Sequence, residues 1–177
     1  DAAARPHQLR AVVLVLSNDQ GATVGVVLNK PTSILLCQLP WCVKSRWVPI
    51  FDGETLFFGG DVGHDVNMLH GHRALGGLEV VDDIYIGHSN GDIVHDDRLG
   101  PCILGPPLLD ENCRYTRERF TSDTMRWLQG HCHWAPGELA HEIAAGHWIA
   151  AQCHRGYLLP SRGSESDVWS ELHLSLS

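Results

Sequence analysis

The amino-acid sequence predicts an α+β fold. Short apolar segments separated by Gly, Pro, Asn and Asp indicate strands. Helix-type patterns occur mainly near the C-terminus, and helices do not alternate with strands in the βαβ rhythm that a parallel sheet requires. These observations favour a mixed fold in which most strands are neighbours in sequence.

The first predicted element is a β-hairpin over residues 11–28. Ala11–Leu16 and Ala22–Leu28 are rich in Val and Leu, and the turn residues Asn18–Gly21 separate them. Segments of this kind need cover from other elements, so we expect the hairpin at the centre of the sheet.

A short helix is predicted to follow the hairpin. Pro31 ends the second strand because its ring fixes φ and removes a backbone donor. Thr32 or Ser33 can then cap a helix that runs to about Leu39. The next predicted strands are Thr55–Phe58, Val66–His72 and Glu79–Ile86.

The C-terminal part of the chain contains the clearest predicted helix, Pro136–Gly146. Pro suits the first turn of a helix and Gly suits its end. The other predicted elements are a loop at 96–112, a helical turn at Thr116–Thr121, strands at Met125–His133 and Trp148–Gln152, and a last helix from Asp167 to about Leu174.

Length and composition predict one domain over residues 1–177, with a loose N-terminal segment at residues 1–10. The chain has 177 residues, of which 44% are hydrophobic, enough for one core. Its net charge of −8 disfavours general nucleic-acid binding, which needs a basic surface. The longest aliphatic run, Ala11–Leu16, is far shorter than the about 20 residues of a membrane helix. We therefore expect a soluble intracellular protein without membrane insertion.

The cysteines and histidines predict no bound metal and no cofactor. The six cysteines form no CxxC pair, so reduced thiols in a cytosol or organelle are expected. The twelve histidines include the pairs His70-x-His72 and His131-x-His133, which place two rings on one face of a strand. A zinc site needs three or four converging ligands, and the sequence supplies pairs without a complete set.

Five segments together resemble the YqgE/AlgH family, and the resemblance covers roughly residues 11–175. They are GATVGVVLNKP (21–31), LFFGGDVG (56–63), MLHGH (68–72), GHCHWAPGELAHEIAAGHWIAA (130–151) and DVWSELH (167–173). Departures from the family pattern occur at Asp61, where the family has Pro, at His131 and His133, which replace Tyr and Gly, and at Glu138, which replaces Gln.

The resemblance implies a single α+β domain whose mostly antiparallel, branched sheet forms a pseudo-barrel with a few flanking helices. It implies no known activity, and the family name suggests only transcriptional regulation. The family-motif residues carried onto this chain are Gly25, Asn29, Pro31, Gly59, Gly60, Trp134, Gly137, Glu138 and Glu142. Plant and algal relatives, and a chain that starts at Asp1, make a chloroplast or other organelle protein without its transit peptide the expectation, with the cytoplasm as the alternative.

Most motif residues are predicted to specify shape. Glycines permit positive φ or close backbone approach, and Gly59-Gly60 would form either a tight turn or a small anion-binding concavity of backbone N–H groups. Asn29 is expected to hydrogen-bond nearby backbone where the strand ends. The predicted core anchors are Trp134, Trp148, Leu139 and Ile143.

Two motifs offer catalytic chemistry, and both favour a structural interpretation. Glu138 and Glu142 lie one helical turn apart and could serve acid–base chemistry, but no nucleophile accompanies them, so a solvated face is expected. Residues 87–91 match the GxSxG nucleophile elbow around Ser89, but a hairpin turn at Asn90-Gly91 fits the sequence better.

The sequence therefore predicts a non-enzymatic protein-interaction or scaffold domain, as a subunit of a larger organellar assembly. Arg114, Arg117 and Arg119 form the basic–aromatic cluster and are predicted to dock an acidic protein partner. Two alternatives remain open: a transcriptional regulator that uses this cluster on nucleic acid, and a metal-dependent enzyme that uses the histidines.

Overall fold

The computed structural model describes residues 9–19, 21–39, 53–87, 125–159, 168–170 and 172, together with short backbone strands between residues 92 and 120. The strands are β1 (Val13–Asn18), β2 (Thr23–Val27), β3 (Pro31–Leu35), β4 (Thr55–Phe58), β5 (Val62–His70), β6 (Leu78–Val81), β7 (Ile84–Ile86), β8 (Asp92–Asp96), β9 (Gly100–Leu104), β10 (Leu108–Leu109), β11 (Tyr115–Thr116), β12 (Arg119–Phe120) and β13 (Met125–Trp134). Helix α1 is Glu138–Ala144, and residues 168–170 are also helical.

The chain divides into two compact units. The first unit comprises residues 1–31, 57–66 and 128–177, and the second comprises residues 32–56 and 67–127. The prediction of one domain over residues 1–177 stays a prediction.

The first unit contains the predicted β1–β2 hairpin, but the expected position at the centre of the sheet is wrong. Among the described strands β1 pairs with β2 alone, so only β2 of this hairpin has a strand on both sides. Asp19 begins the turn, because its Oδ1 accepts hydrogen bonds from the backbone N–H groups of Gly21 (2.8 Å) and Ala22 (3.2 Å). Strand β2 then pairs antiparallel with the end of β13, with Cys132 opposite Gly25 and Trp134 opposite Thr23. The buried side chains of this unit include Val26, Leu28 and Leu128, which are at most 1% exposed.

The second unit contains a second hairpin where the sequence predicted one strand. β6 and β7 pair antiparallel, and the residues between them, Asp82 and Asp83, form the turn. Asp83 has φ 59°, the left-handed conformation that Asp tolerates better than most residues. The core of this unit includes Leu36, Leu56, Leu69 and Leu75, each at most 1% exposed.

The predicted helix at residues 33–39 is wrong. Pro31–Leu35 forms β3, which pairs with β4, and only Leu36–Gln38 forms a short 3-10 turn. The Thr32 hydroxyl donates to the carbonyl of Leu56 (2.7 Å) instead of capping a helix. A partner distant in sequence therefore overrides the local capping signal.

Three other local predictions are also wrong. The predicted loop at 96–112 contains β9 and β10, and the predicted helical turn at 116–121 contains the strand β12. Both regions pair antiparallel, with Phe120 opposite Ile103 and Thr116 opposite Leu108. Residues 148–152 form no strand, although a strand was predicted there.

The predicted α+β class is confirmed. The registers given above are all antiparallel, and the sheet branches because β13 pairs with β2, β4 and β5. None of the helices in the described part of the chain is long and apolar enough to cross a membrane.

Candidate functional site

The end of β13 holds Trp134 against β2 in the first unit. Trp134 is 6% exposed, and its register partner is Thr23. A Cβ atom at Gly25 would lie 3.5 Å from Cζ3 of Trp134 and only 2.9 Å from the carbonyl oxygen of Leu14. Gly25 therefore permits the close approach of Val13 and Leu14 on β1, and the Trp134 ring lies beside it at ordinary contact distance.

Glu142 joins two tryptophans. Its Oε2 accepts hydrogen bonds from Nε1 of Trp134 (3.0 Å) and from Nε1 of Trp148 (2.7 Å). The two rings meet edge to face, with centroids 6.2 Å apart and an interplanar angle of 84°. We call Trp134, Glu142 and Trp148 the Trp–Glu–Trp cluster. The predicted solvated face is wrong for Glu142, whose carboxylate is half-buried and fixed by both indoles.

Glu138 has a different role from Glu142. It is exposed, and its Oε2 accepts from the backbone N–H of Ala135 at 2.7 Å. That bond ties the connection after β13 to the first turn of α1. Gly137 precedes the helix with φ 78°, a conformation that favours glycine. Both motif residues therefore shape the path from β13 into α1.

Helix α1 does not supply the predicted core anchors. None of its seven residues is buried, Leu139 is half-buried and Ile143 is 37% exposed. The exposed apolar stretch continues after the helix, since Ile149 is 78% exposed and the neighbouring alanines are exposed as well. We call residues 143–151, Ile-Ala-Ala-Gly-His-Trp-Ile-Ala-Ala, the 143–151 surface.

Gly59 and Gly60 lie where the backbone passes directly over β13. The N–H of Gly59 donates to the carbonyl of Gln129 at 2.7 Å, and a Cβ at Gly60 would lie 2.0 Å from the carbonyl carbon of His131. Gly130 faces them with φ 73°, and a Cβ there would lie 2.5 Å from the Gly60 oxygen. The predicted close approach is present. Gly130, which sequence reasoning missed, could have been found as a glycine inside a strand pattern.

Asn29 connects the end of β2 to the chain that enters β1. Its Oδ1 accepts from the N–H of Val12, and its Nδ2 donates to the carbonyl of Arg10, both at 2.8 Å. Lys30, also missed by the sequence prediction, donates from Nζ to the carbonyl of Leu9 at 2.6 Å. Pro31, the next motif residue, begins β3. This motif therefore fixes the entry of the hairpin.

His64 on β5 and His131 and His133 on β13 lie in the first unit. The His131 ring lies within 4 Å of where a Cβ on Gly63 would be, and Gln129 donates to the carbonyl of His64 at 3.4 Å. Within the described ranges, no group of three or more His, Cys, Asp or Glu side chains is arranged to hold a metal ion.

His70 is the buried histidine that the sequence prediction treated as one of a pair. It is 0% exposed, and its ring stacks on Tyr85 (centroids 5.8 Å apart) and on His72 (6.3 Å). Its Nδ1 accepts from the N–H of His72 at 3.2 Å, and its Nε2 has no hydrogen-bond partner among the described residues. Burial, helped by the nearby His72, lowers the pKa of His70 to about 4. His70 is therefore a neutral core residue of the second unit.

The remaining predicted motifs lie largely outside the described residues. Ser89, Asn90 and Gly91 of the GxSxG match and Arg114 and Arg117 of the basic cluster lie outside them, and Arg119 is described only as backbone in β12. Their predicted roles stay predictions.

Comparison with known proteins gives consistent matches across the chain. A family model described as AlgH-like (DUF179) matches residues 3–97 and 109–177. A UPF0301 protein of Streptomyces avermitilis is 29% identical over 175 residues, which cover 97% of this chain and 79% of the relative. A UPF0301 protein of Mycobacterium leprae is 26% identical over 171 residues, covering 94% and 73%. These relatives are bacterial and give the predicted plant or algal origin no support.

Two solved structures share the fold. A crystal structure of a Corynebacterium diphtheriae protein aligns with a TM-score of 0.58 and 22% identity, covering 91% of this chain and 74% of that one. The solution structure of the AlgH protein of Pseudomonas aeruginosa aligns with a TM-score of 0.56 and 18% identity, covering 94% and 76%. The expected α+β pseudo-barrel class is confirmed by this likeness.

Proposed function

Since the chain belongs to the AlgH-like family, we propose that it is a non-catalytic domain that binds a protein partner through the 143–151 surface. The described family-motif residues of the first unit position backbone and aromatic rings, and they present an apolar segment to solvent.

The observation that carries the proposal is the contrast between Trp148 and Ile149. Trp148 is held by the hydrogen bond to Glu142, whereas the next side chain is 78% exposed. Tryptophan is enriched at the buried centre of protein interfaces, and an exposed aliphatic side chain beside it adds apolar area that a partner can cover. Because the Trp–Glu–Trp cluster fixes this segment, binding would require little ordering of the chain.

The carboxylate geometry supports a non-catalytic role. Glu142 binds two indole N–H groups and Glu138 binds a backbone N–H, so both motif acids are acceptors in structural hydrogen bonds. A general acid or base needs an oxygen directed at a substrate proton. The alternative of a metal-dependent enzyme has no support from the described histidines, because they do not form a set of metal ligands.

Net charge makes a protein partner a better proposal than nucleic acid. The chain carries −8, and the 143–151 surface contains no Lys or Arg. The predicted acidic partner of Arg114, Arg117 and Arg119, membership of a larger assembly and an organellar location remain part of the proposal as predictions. The bacterial relatives give no support to an organellar location.

Affinity capture from the native cell, with matched variants, tests the proposal. Ile149→Lys places a charge on the 143–151 surface, and Leu78→Lys places the same charge on a side chain that is 63% exposed in the second unit. We expect a specific polypeptide to be retained by the parent and by Leu78→Lys and to be lost with Ile149→Lys. Equal retention by both variants would overturn the proposed surface. A turnover by the parent that a folded Glu142→Gln variant lacks would overturn the non-catalytic role.

A further inference from the structure

Strand β1 lies at the edge of the sheet formed by the described strands. Among the described residues it pairs with β2 alone, so its outer backbone N–H and C=O groups have no strand beside them. Natural edge strands are usually protected by Lys, Pro or other interrupting residues. The sequence of β1, Val-Leu-Val-Leu-Ser-Asn, contains no charge and no proline, and Val15 is 41% exposed.

A β-bulge divides this edge, so only part of it has regular strand geometry. The register with β2 shifts between Val15 and Ser17, which places a bulge at Leu16. A bulge bends its strand and increases the local twist. Val13–Val15 is therefore the straight part of the edge, and a further strand would pair there.

The two ends of β1 carry opposite charges. Arg10 precedes the strand with its guanidinium 5.0 Å from the centroid of the Trp169 ring, and Lys30 is bound to the carbonyl of Leu9. Asp19 directly follows the strand, and its hydrogen bonds to Gly21 and Ala22 hold the carboxylate there. The same hydrogen bonds stabilise the charged form of Asp19 and therefore lower the pKa of its carboxyl group.

We propose that the β1 edge pairs antiparallel with β1 of a second copy of this chain and joins two sheets across a two-fold axis. Antiparallel pairing reverses the strand, so Asp19 of each copy comes to the end where Arg10 and Lys30 of the other copy lie. A parallel arrangement would bring like charges together. A second copy supplies both the uncharged strand and the matching charges by symmetry, as an isologous interface requires.

Sedimentation equilibrium of the purified chain tests this interface, with two matched variants. Val15→Lys brings two ammonium groups together near the two-fold axis, whereas Val62→Lys changes a valine that is equally exposed (42%) on β5. We expect the parent to dimerise, Val15→Lys to raise the dimer Kd at least about tenfold, and Val62→Lys to leave it unchanged. A parent that stays monomeric, or two variants with equal effects, would overturn the proposal.

Hydrogen exchange of the unmodified protein gives an independent result if Val15→Lys fails to fold. Amides of β1 that do not bond to β2 should exchange more slowly as the protein concentration rises through the dimerisation range. Loss of the dimer at high salt should restore fast exchange, because the charges at the strand ends are screened. Protection of β1 that is independent of concentration would contradict pairing with a second copy.

Discussion

The carboxylate of Glu142 lies 2.7 Å from Nε1 of Trp148, six residues further along the chain. This contact holds the segment after α1 although that segment has no regular secondary structure. The same carboxylate oxygen also binds the buried Trp134, so one side chain connects the core of the first unit to Trp148, the residue before the exposed Ile149.

Removing the Glu142 carboxylate should loosen the 143–151 surface. Glu142→Ala leaves two indole N–H groups without their acceptor, and we expect a loss of about 1–3 kcal/mol in the free energy of unfolding. Urea unfolding measures the loss, and a red shift of tryptophan emission in the folded state reports exposure of Trp148. Glu138→Ala is the matched control on the same helix. It should lower stability less and leave the emission unchanged. Equal effects of the two variants would contradict the role of Glu142 in holding the two tryptophans.

Trp134→Ala should act through folding alone. The ring is 6% exposed and packs beside Gly25, so its loss creates a cavity that costs about 3–5 kcal/mol. Thermal and urea unfolding measure the effect. His133→Ala, one residue earlier and exposed, should unfold like the parent. A fully stable Trp134→Ala variant would show that this ring is not a core anchor.

The close approach of Gly60 to β13 should not tolerate a side chain, whereas Gly63 should tolerate alanine. A Cβ at Gly60 would meet backbone atoms of His131 at 2.0 Å, whereas a Cβ at Gly63 would meet only the His131 ring at 3.7 Å. Gly60→Ala should therefore abolish the folded first unit, and Gly63→Ala should lose only about 1–2 kcal/mol for its left-handed backbone. Circular dichroism and urea unfolding of both variants check this. A similar loss of stability in each would contradict the close backbone approach at Gly60.

His70 should make stability depend on pH. Its pKa of about 4 in the folded protein is below the ordinary value of 6.5, so the unfolded chain binds more protons between these values. Stability should therefore be full above about pH 6.5, fall by up to about 3 kcal/mol as the pH drops to about 4, and lose nothing further from this group below that.

Urea unfolding between pH 4 and pH 8 measures this dependence. His70→Phe should flatten the slope in that range, and the exposed His133→Gln should retain it. An unchanged slope in a folded His70→Phe variant would assign the acid sensitivity to other groups.

Local signals predicted the elements that local interactions form. The β1–β2 hairpin followed from Asn18–Gly21, because Asp19 bonds to residues two and three positions away. Pro136 and Gly146 predicted helix α1, which is two residues shorter at each end because it begins at Glu138, after Gly137, and ends at Ala144. The helix predicted at 33–39 failed because the acceptor for the Thr32 hydroxyl lies 24 residues away.

The candidate site was only partly predictable for the same reason. Its motif residues could be identified from the sequence, but the role of Glu142 depends on Trp134 eight residues before it and Trp148 six residues after it. Neither spacing is that of neighbours on one helix face. The missed Gly130 contacts Gly60, which is distant in sequence and is brought close only by strand pairing.

Amide hydrogen exchange, measured in the chain alone and in the chain isolated with its protein partner, shows whether residues 143–151 form the binding surface. We predict slower exchange across this surface in the complex, centred on Ile149, and no comparable change around Leu78. Protection confined to other parts of the chain, with residues 143–151 exchanging at the same rate in both samples, would contradict it.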